Sequence, residues 1–140
     1  VTFGSIPNTY RDLVAVINIR GLTGSPTARG GYMLLNGSAL STVYVSSSGG
    51  NSNSGTDGSD GIVPFANGHG VFIVNIMDYS ATDKHKTVLT RASSPAVSSW
   101  FIGSRYASTN AVTSITFYGP DNGSDQFAVG STFTLYGIAS

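Results

Sequence analysis

Residues 11–20 read RDLVAVINIR. Taken alternately, Leu13, Ala15, Ile17 and Ile19 fall on one side of an extended chain. The other side runs from Val14 and Val16 out to Asn18 and Arg20. A period of two means a strand, and the first set is apolar throughout, so one face of that strand is expected to be fully buried.

The same period recurs outward in both directions. GYMLLNG (31–37) and LSTVYVS (40–46) are separated by Asn36-Gly37-Ser38, where Asn-Gly supplies the positive φ angles of a tight hairpin turn. GVFIVNIMDY (70–79) is apolar on both faces and is expected to be a central strand. After the short connector SATDK comes HKTVLTRA (85–92), read as alternating Val88 against Lys86 and Thr90. VSSWFIGSRYA (97–107) places Trp100, Ile102 and Tyr106 on one face. VTSITFYG (112–119) does the same with Ile115 and Phe117, and STFTLYGI (131–138) with Phe133 and Leu135. The closing stretch 114–140 reads as a β-hairpin about the Pro-Asp-Asn-Gly turn at 120–123. About eight strands at this spacing predict an all-β fold, an antiparallel β-sandwich. The only helix signal lies at Ser5–Asp12, where Pro7 is placed to open a single turn. No repeat is detectable.

The chain has 140 residues, the size of one domain spanning 1–140, with 40% apolar and only 10% charged residues. Ser, Thr, Gly and Asn take the place of charge, Glu is absent, and Lys occurs only at 84 and 86, which leaves little for an exposed helical face. Segment 46–61, SSSGGNSNSGTDGSDG, has little to bury and is expected to be a flexible loop. Net charge is zero and Arg11, Arg20, Arg29, Arg91 and Arg105 are scattered, so no nucleic-acid partner is expected. The apolar clusters LVAVINI (13–19) and VFIVNIM (71–77) fall short of the roughly 20 residues of a membrane helix, so no membrane partner is expected either. Nor does a basic, then apolar leader open the sequence.

Candidate chemistry is thin. Asn51, Asn53, Asp57 and Asp60 offer hard oxygen ligands at short spacing, but the bidentate Glu of an EF-hand is missing, so a solvated loop is the expectation. His69 and His85 are the only imidazoles, and with no Gly-x-Ser-x-Gly elbow and no Cys they predict neither a nucleophilic site nor a zinc site. Asp57, Asp60, Asp83, Asp121 and Asp125 fall in turns, whereas Asp78 ends an apolar strand and is expected to pair with Lys84 or Lys86. Trp100 and tyrosines such as Tyr44, Tyr106, Tyr118 and Tyr136 are possible sugar-stacking faces, but they alternate with core residues and are expected in the sheets. The Asn36 and Asn122 sequons coincide with Asn-Gly turns. No catalytic, metal-binding or cofactor-binding residue is therefore assigned, and no enzymatic activity is expected.

FGSIPNTYRDLVAVINIR (3–20), DYSATDKHKTVLTR (78–91) and SITFYG…FAVGSTFTLYGI (114–138) together resemble a C-terminal module of tailed-bacteriophage virion proteins. Such modules carry an SIPxTYxDL start, a DYxxTxKxKTVL middle and a GSTFTLYGI end, and the likeness covers most of the chain in register. The resemblance implies a sandwich of jelly-roll type in the virion, commonly a homotrimer set against the major capsid protein or tail components. Capsid decoration, as a cement protein, is favoured over a tail fibre because no coiled-coil shaft is present. The alternative is a tail-fibre tip or adhesin that binds host-surface glycan. Two departures are that the family usually has another strand before Val1, and that the Gly-rich stretch 46–61 is local to this sequence.

Overall fold

A computed structural model describes residues 1–23, 30–48, 51–57, 61–64, 69–94, 97–119 and 126–139. In chain order the strands are β1 (Thr2–Phe3), β2 (Asp12–Ile19), β3 (Leu22–Thr23), β4 (Gly30–Leu35), β5 (Ser41–Ser48), β6 (Asn51–Asp57) and β7 (Gly61–Pro64). β8 (Gly70–Met77), β9 (Lys86–Ser94), β10 (Val97–Tyr106), β11 (Ile115–Tyr118), β12 (Gln126–Phe127) and β13 (Thr132–Ile138) follow. A seven-stranded sheet runs β13-β2-β8-β9-β10-β5-β6, a four-stranded sheet runs β1-β11-β4-β7, and β12 pairs with β3. Every pairing is antiparallel, and no helix occurs among the described residues. The fold is thus the expected all-β antiparallel sandwich. Its strands outnumber the expected eight because β1, β3 and β12 are two-residue pieces and β6 and β7 arise in or beside the Gly-rich stretch.

One core lies between the two larger sheets. β2 supplies Leu13, Ala15, Ile17 and Ile19, as its alternation requires, and β8 supplies Phe72, Val74 and Ile76. Across from them the small sheet contributes Met33, Leu35, Ile115 and Phe117. Phe133 and Leu135 of β13 pack against this cluster from the sheet edge. Burying each large side chain of this kind stabilises the fold by about 1.5–3 kcal/mol.

Several local expectations are corrected. The Asn-Gly turn forms, with Asn36 at φ 50° and Gly37 at φ 74°, but it does not make a hairpin of β4 and β5. It carries the chain from the small sheet to the large one. The Asn36 amide anchors the turn there: its Nδ2 donates to the Ala111 carbonyl at 2.8 Å while Oδ1 accepts from the backbone N–H groups of Thr113 (2.8 Å) and Ser114 (3.1 Å). The tight turn itself closes as expected, Leu35 and Ser38 exchanging both backbone hydrogen bonds at 3.0 and 2.9 Å, but the pairing stops there and the turn is stitched to the segment entering β11. Likewise the closing stretch is no hairpin: β11 joins the small sheet and β13 pairs with β2 in the large one.

The helical turn at Ser5–Asp12 is absent. Ser5 has φ 54°, and the Tyr79 hydroxyl donates to the Pro7 carbonyl, tying the segment to the turn after β8. The stretch expected as a flexible loop at 46–61 instead contributes paired backbone, since β5 runs to Ser48 and β6 pairs with it from Ser48↔Asn51 to Thr42↔Asp57. Backbone hydrogen bonds are made whatever the side chain, so a Ser/Asn-rich segment can extend a ladder without an apolar pattern. Residues 49–50 and 58–60 lie outside the described residues. Finally, Lys86 and Thr90 do not oppose Val88: all three point inward, as positions two apart must.

Replacing Asn36 by Ala removes both ends of the stitch and places a Cβ-bearing residue without a local hydrogen bond at positive φ. The expected destabilisation is about 2–3 kcal/mol in urea unfolding. A loss below about 0.5 kcal/mol would show the stitch to be incidental.

Candidate functional site

Strand register decides which of the chemically capable side chains meet. His69 precedes β8 and His85 precedes β9. These strands are antiparallel, so the two histidines lie at opposite ends of the pair, on the order of 25 Å apart at about 3.4 Å per residue. Both are exposed. His69 borders a shallow depression of about 550 Å³ with Arg20 and Asn18, and no carboxylate lines it. Among the described residues no three His, Cys, Asp or Glu side chains come together. Asn51, Asn53 and Asp57 lie along β6, while Asp60, Asp121, Asn122 and Asp125 lie outside the described residues.

Asp78 turns the chain out of β8 at φ 52° and accepts from Lys84 Nζ at 3.2 Å, in solvent. Lys86 takes a different role. It is fully buried, and its Nζ donates to the carbonyls of Ala81 (2.6 Å), Thr109 (2.9 Å), Lys84 (3.1 Å) and Ser108 (3.3 Å). Burial pushes its pKa below the usual lysine range, while the Asp83 carboxylate pulls the other way. Ringed by acceptors, this ammonium acts as a donor that pins the β8–β9 turn to the segment after β10. It is a clasp.

A second knot lies beside it. Asp12 Oδ1 accepts from the Asp78 backbone N–H at 2.9 Å, and Oδ2 accepts from Arg11 Nε at 2.7 Å. Partial burial raises the Asp12 pKa, but the Asp78 N–H and the Arg11 guanidinium outweigh it and hold the carboxyl below its ordinary 3.8. Nearby, the Arg11 backbone N–H reaches the Ile138 carbonyl at 2.8 Å. The Tyr10 ring lies where any side chain at Gly137 would have to go, 2.3 Å from an ideal Cβ. Glycine is required there.

The remaining feature is a surface. The outward side of the large sheet exposes Val71, Met77, Leu89, Phe101, Tyr136 and Ile138 among polar residues such as Thr87, Arg91 and Arg105, and Phe101 is the most open of these apolar strand residues at 57%. Between Phe101, Leu89 and Met77 runs a groove of about 500 Å³ floored by Gly103 and edged by Arg91. Of the expected aromatic faces, Tyr106 is buried and Tyr118 stacks on Tyr32 at 5.1 Å, leaving Tyr136 exposed. The side chains of Trp100 and Tyr44 lie outside those described. Phe101 and Leu89 fall in the phase of β10 and β9 opposite to the one their alternation marks as buried. The available signal was the apolar second phase of LVAVINI and VFIVNIM, whose neighbours in the sheet had to share it.

No protein-family model, no curated protein and no solved structure matches this chain.

Lys86→Met leaves buried carbonyls without their donor and is expected to cost about 3 kcal/mol in denaturant unfolding, whereas Lys84→Met costs little. Equal effects would contradict the clasp. For Asp12, whose folded pKa is depressed, the stabilising contribution is complete above the ordinary 3.8 and is lost as pH falls below it towards the folded value. Asp12→Asn should therefore flatten the acid limb of a stability-against-pH curve; an unchanged limb would contradict that linkage.

Proposed function

We propose that the chain is a non-enzymatic structural module on the surface of a tailed-bacteriophage particle, a capsid-decoration (cement) protein or a closely similar tail-fibre module. The observation that carries this reading is the use the fold makes of the three segments of the resemblance. Tyr10, Asp12, Asp78, Tyr79, Lys86 and Gly137 all come from them, and their polar groups or small size serve to close one end of the sandwich. Residues used in this way specify a building block. They leave the faces of the sandwich free to make contacts.

The proposed partners are further copies of the chain, as a homotrimer, and the major capsid protein or tail components. A second reading, an adhesin for host-surface glycan at a tail-fibre tip, draws on the exposed rings of Phe101 and Tyr136. Imaging the labelled protein on intact particles separates the possibilities. A cement protein decorates the shell, raises the temperature at which shells rupture and leaves a glycan array blank. Failure to associate with particles, or cleavage of host polysaccharide by the chain alone, would contradict the proposal.

A further inference from the structure

From β13 to β10 the outward face of the large sheet is uncovered by any described residue, yet it exposes Val71, Met77, Leu89, Phe101, Tyr136 and Ile138 among its polar positions. Monomeric proteins rarely leave apolar patches larger than a few hundred Å² in water. With strands about 4.8 Å apart rising about 3.3 Å per residue, the stretch from β13 to β10 presents roughly 550 Å² of outward face, apolar and polar positions together. A stable interface needs about 800 Å² per partner. The stretch falls short of that alone, but two such faces together cover about 1,100 Å², above the roughly 1,000 Å² that a biological contact should clear.

Its chemistry indicates which partner. The register aligns outward residues in rows across the sheet. Extended by one step, it puts Asp12 at the β2 end of one row and Arg105 at the β10 end. The next row has Val14 at the β2 end and Gly103 at the β10 end, and the row after that has Val16 and Phe101. The two halves thus differ in opposite senses: an acid against a base, and a bulky side chain against a glycine gap. In cyclic association about an axis running along the strands, the β2 half of one copy meets the β10 half of the next. Asp12, 19% exposed and already holding Arg11 and the Asp78 N–H within its own chain, then lies opposite Arg105, and Val14 faces the groove floored by Gly103.

We infer that the outward face of the large sheet is a self-association surface, occupied by a second copy of this chain packed sheet to sheet through complementary β2 and β10 halves. This deepens the assembly part of the proposed function and rests on that reading only for the number of copies. Packing of two sheet faces brings them about 10 Å apart, which takes the exposed apolar side chains out of water.

The test is light-scattering mass across a concentration series, for the unaltered chain and for Phe101→Asp and Leu89→Asp, with circular dichroism to establish that each variant is folded. Thr116→Asp, on the small sheet, serves as the control. The expected result is a mass of several chains for the unaltered protein and the control, and the single-chain 14.4 kDa for both face variants. Should a variant not fold, Arg105→Asp, at an exposed position, is expected to lower the association constant about tenfold, a salt-dependent loss. The inference is overturned if the unaltered chain is monomeric throughout, or if folded face variants keep its mass. A monomer that still decorates particles would overturn this contact and leave the virion reading in place. A face protected from labelling only on intact particles would assign it to another virion protein.

Discussion

The pairing of β2 with β8 is the constraint on which the rest of the molecule depends. Their ladder runs without interruption from Leu13↔Ile76 to Ile19↔Gly70. On its inward side it gathers much of the core, with Leu13, Ala15, Phe72, Val74 and Ile76 all at or below 1% exposure. At about 1.5–3 kcal/mol for each large side chain, losing a few of them would match the roughly 5–15 kcal/mol net stability of a typical domain. A one-residue slip would exchange the inward and outward sets, and here both sets are largely apolar. Register must therefore be held by other features, and the polar contacts at the sheet's end supply them.

Those contacts explain why so few charges suffice. With no disulfide to staple the ends, the chain uses a buried ammonium, a buried phenol and a carboxylate at one end of the large sheet, each joined to backbone groups distant in sequence. A polar group buried with its partners is specific because every alternative arrangement leaves it unsatisfied. Thr90 shows the opposite case: its hydroxyl is buried and has no hydrogen-bond partner, and nothing in the structure explains it.

Much of the fold was legible in the alternation of β2, β8, β10 and β13, because a half-buried strand writes its period directly into the sequence. Which strands share a sheet was not legible. The Asn36-Gly37 turn announces positive φ and closes as a tight turn through Leu35 and Ser38, but its anchoring to Ala111, Thr113 and Ser114, and the chain's passage to the other sheet beyond it, depend on residues distant in sequence. Lys86 was misread for a related reason, since a lysine on a strand normally reads as a solvent-facing position, and the carbonyls that accept it come from two separate loops. The catalytic candidates were legible as unconnected residues, and register keeps His69 and His85 apart. The open face was only half visible: the second apolar phase could be read, but its lack of a cover could not.

The most direct test of the account is amide hydrogen exchange in the folded state, resolved by residue. If β2 and β8 are the spine, the amides of Val14 to Asn18 and Phe72 to Ile76 exchange slowest, at the rate set by global unfolding, while β1, β3 and β12 exchange through smaller openings. Slowest exchange in the β5–β6 hairpin, or protection in β2 and β8 no greater than in the two-residue strands, would contradict it.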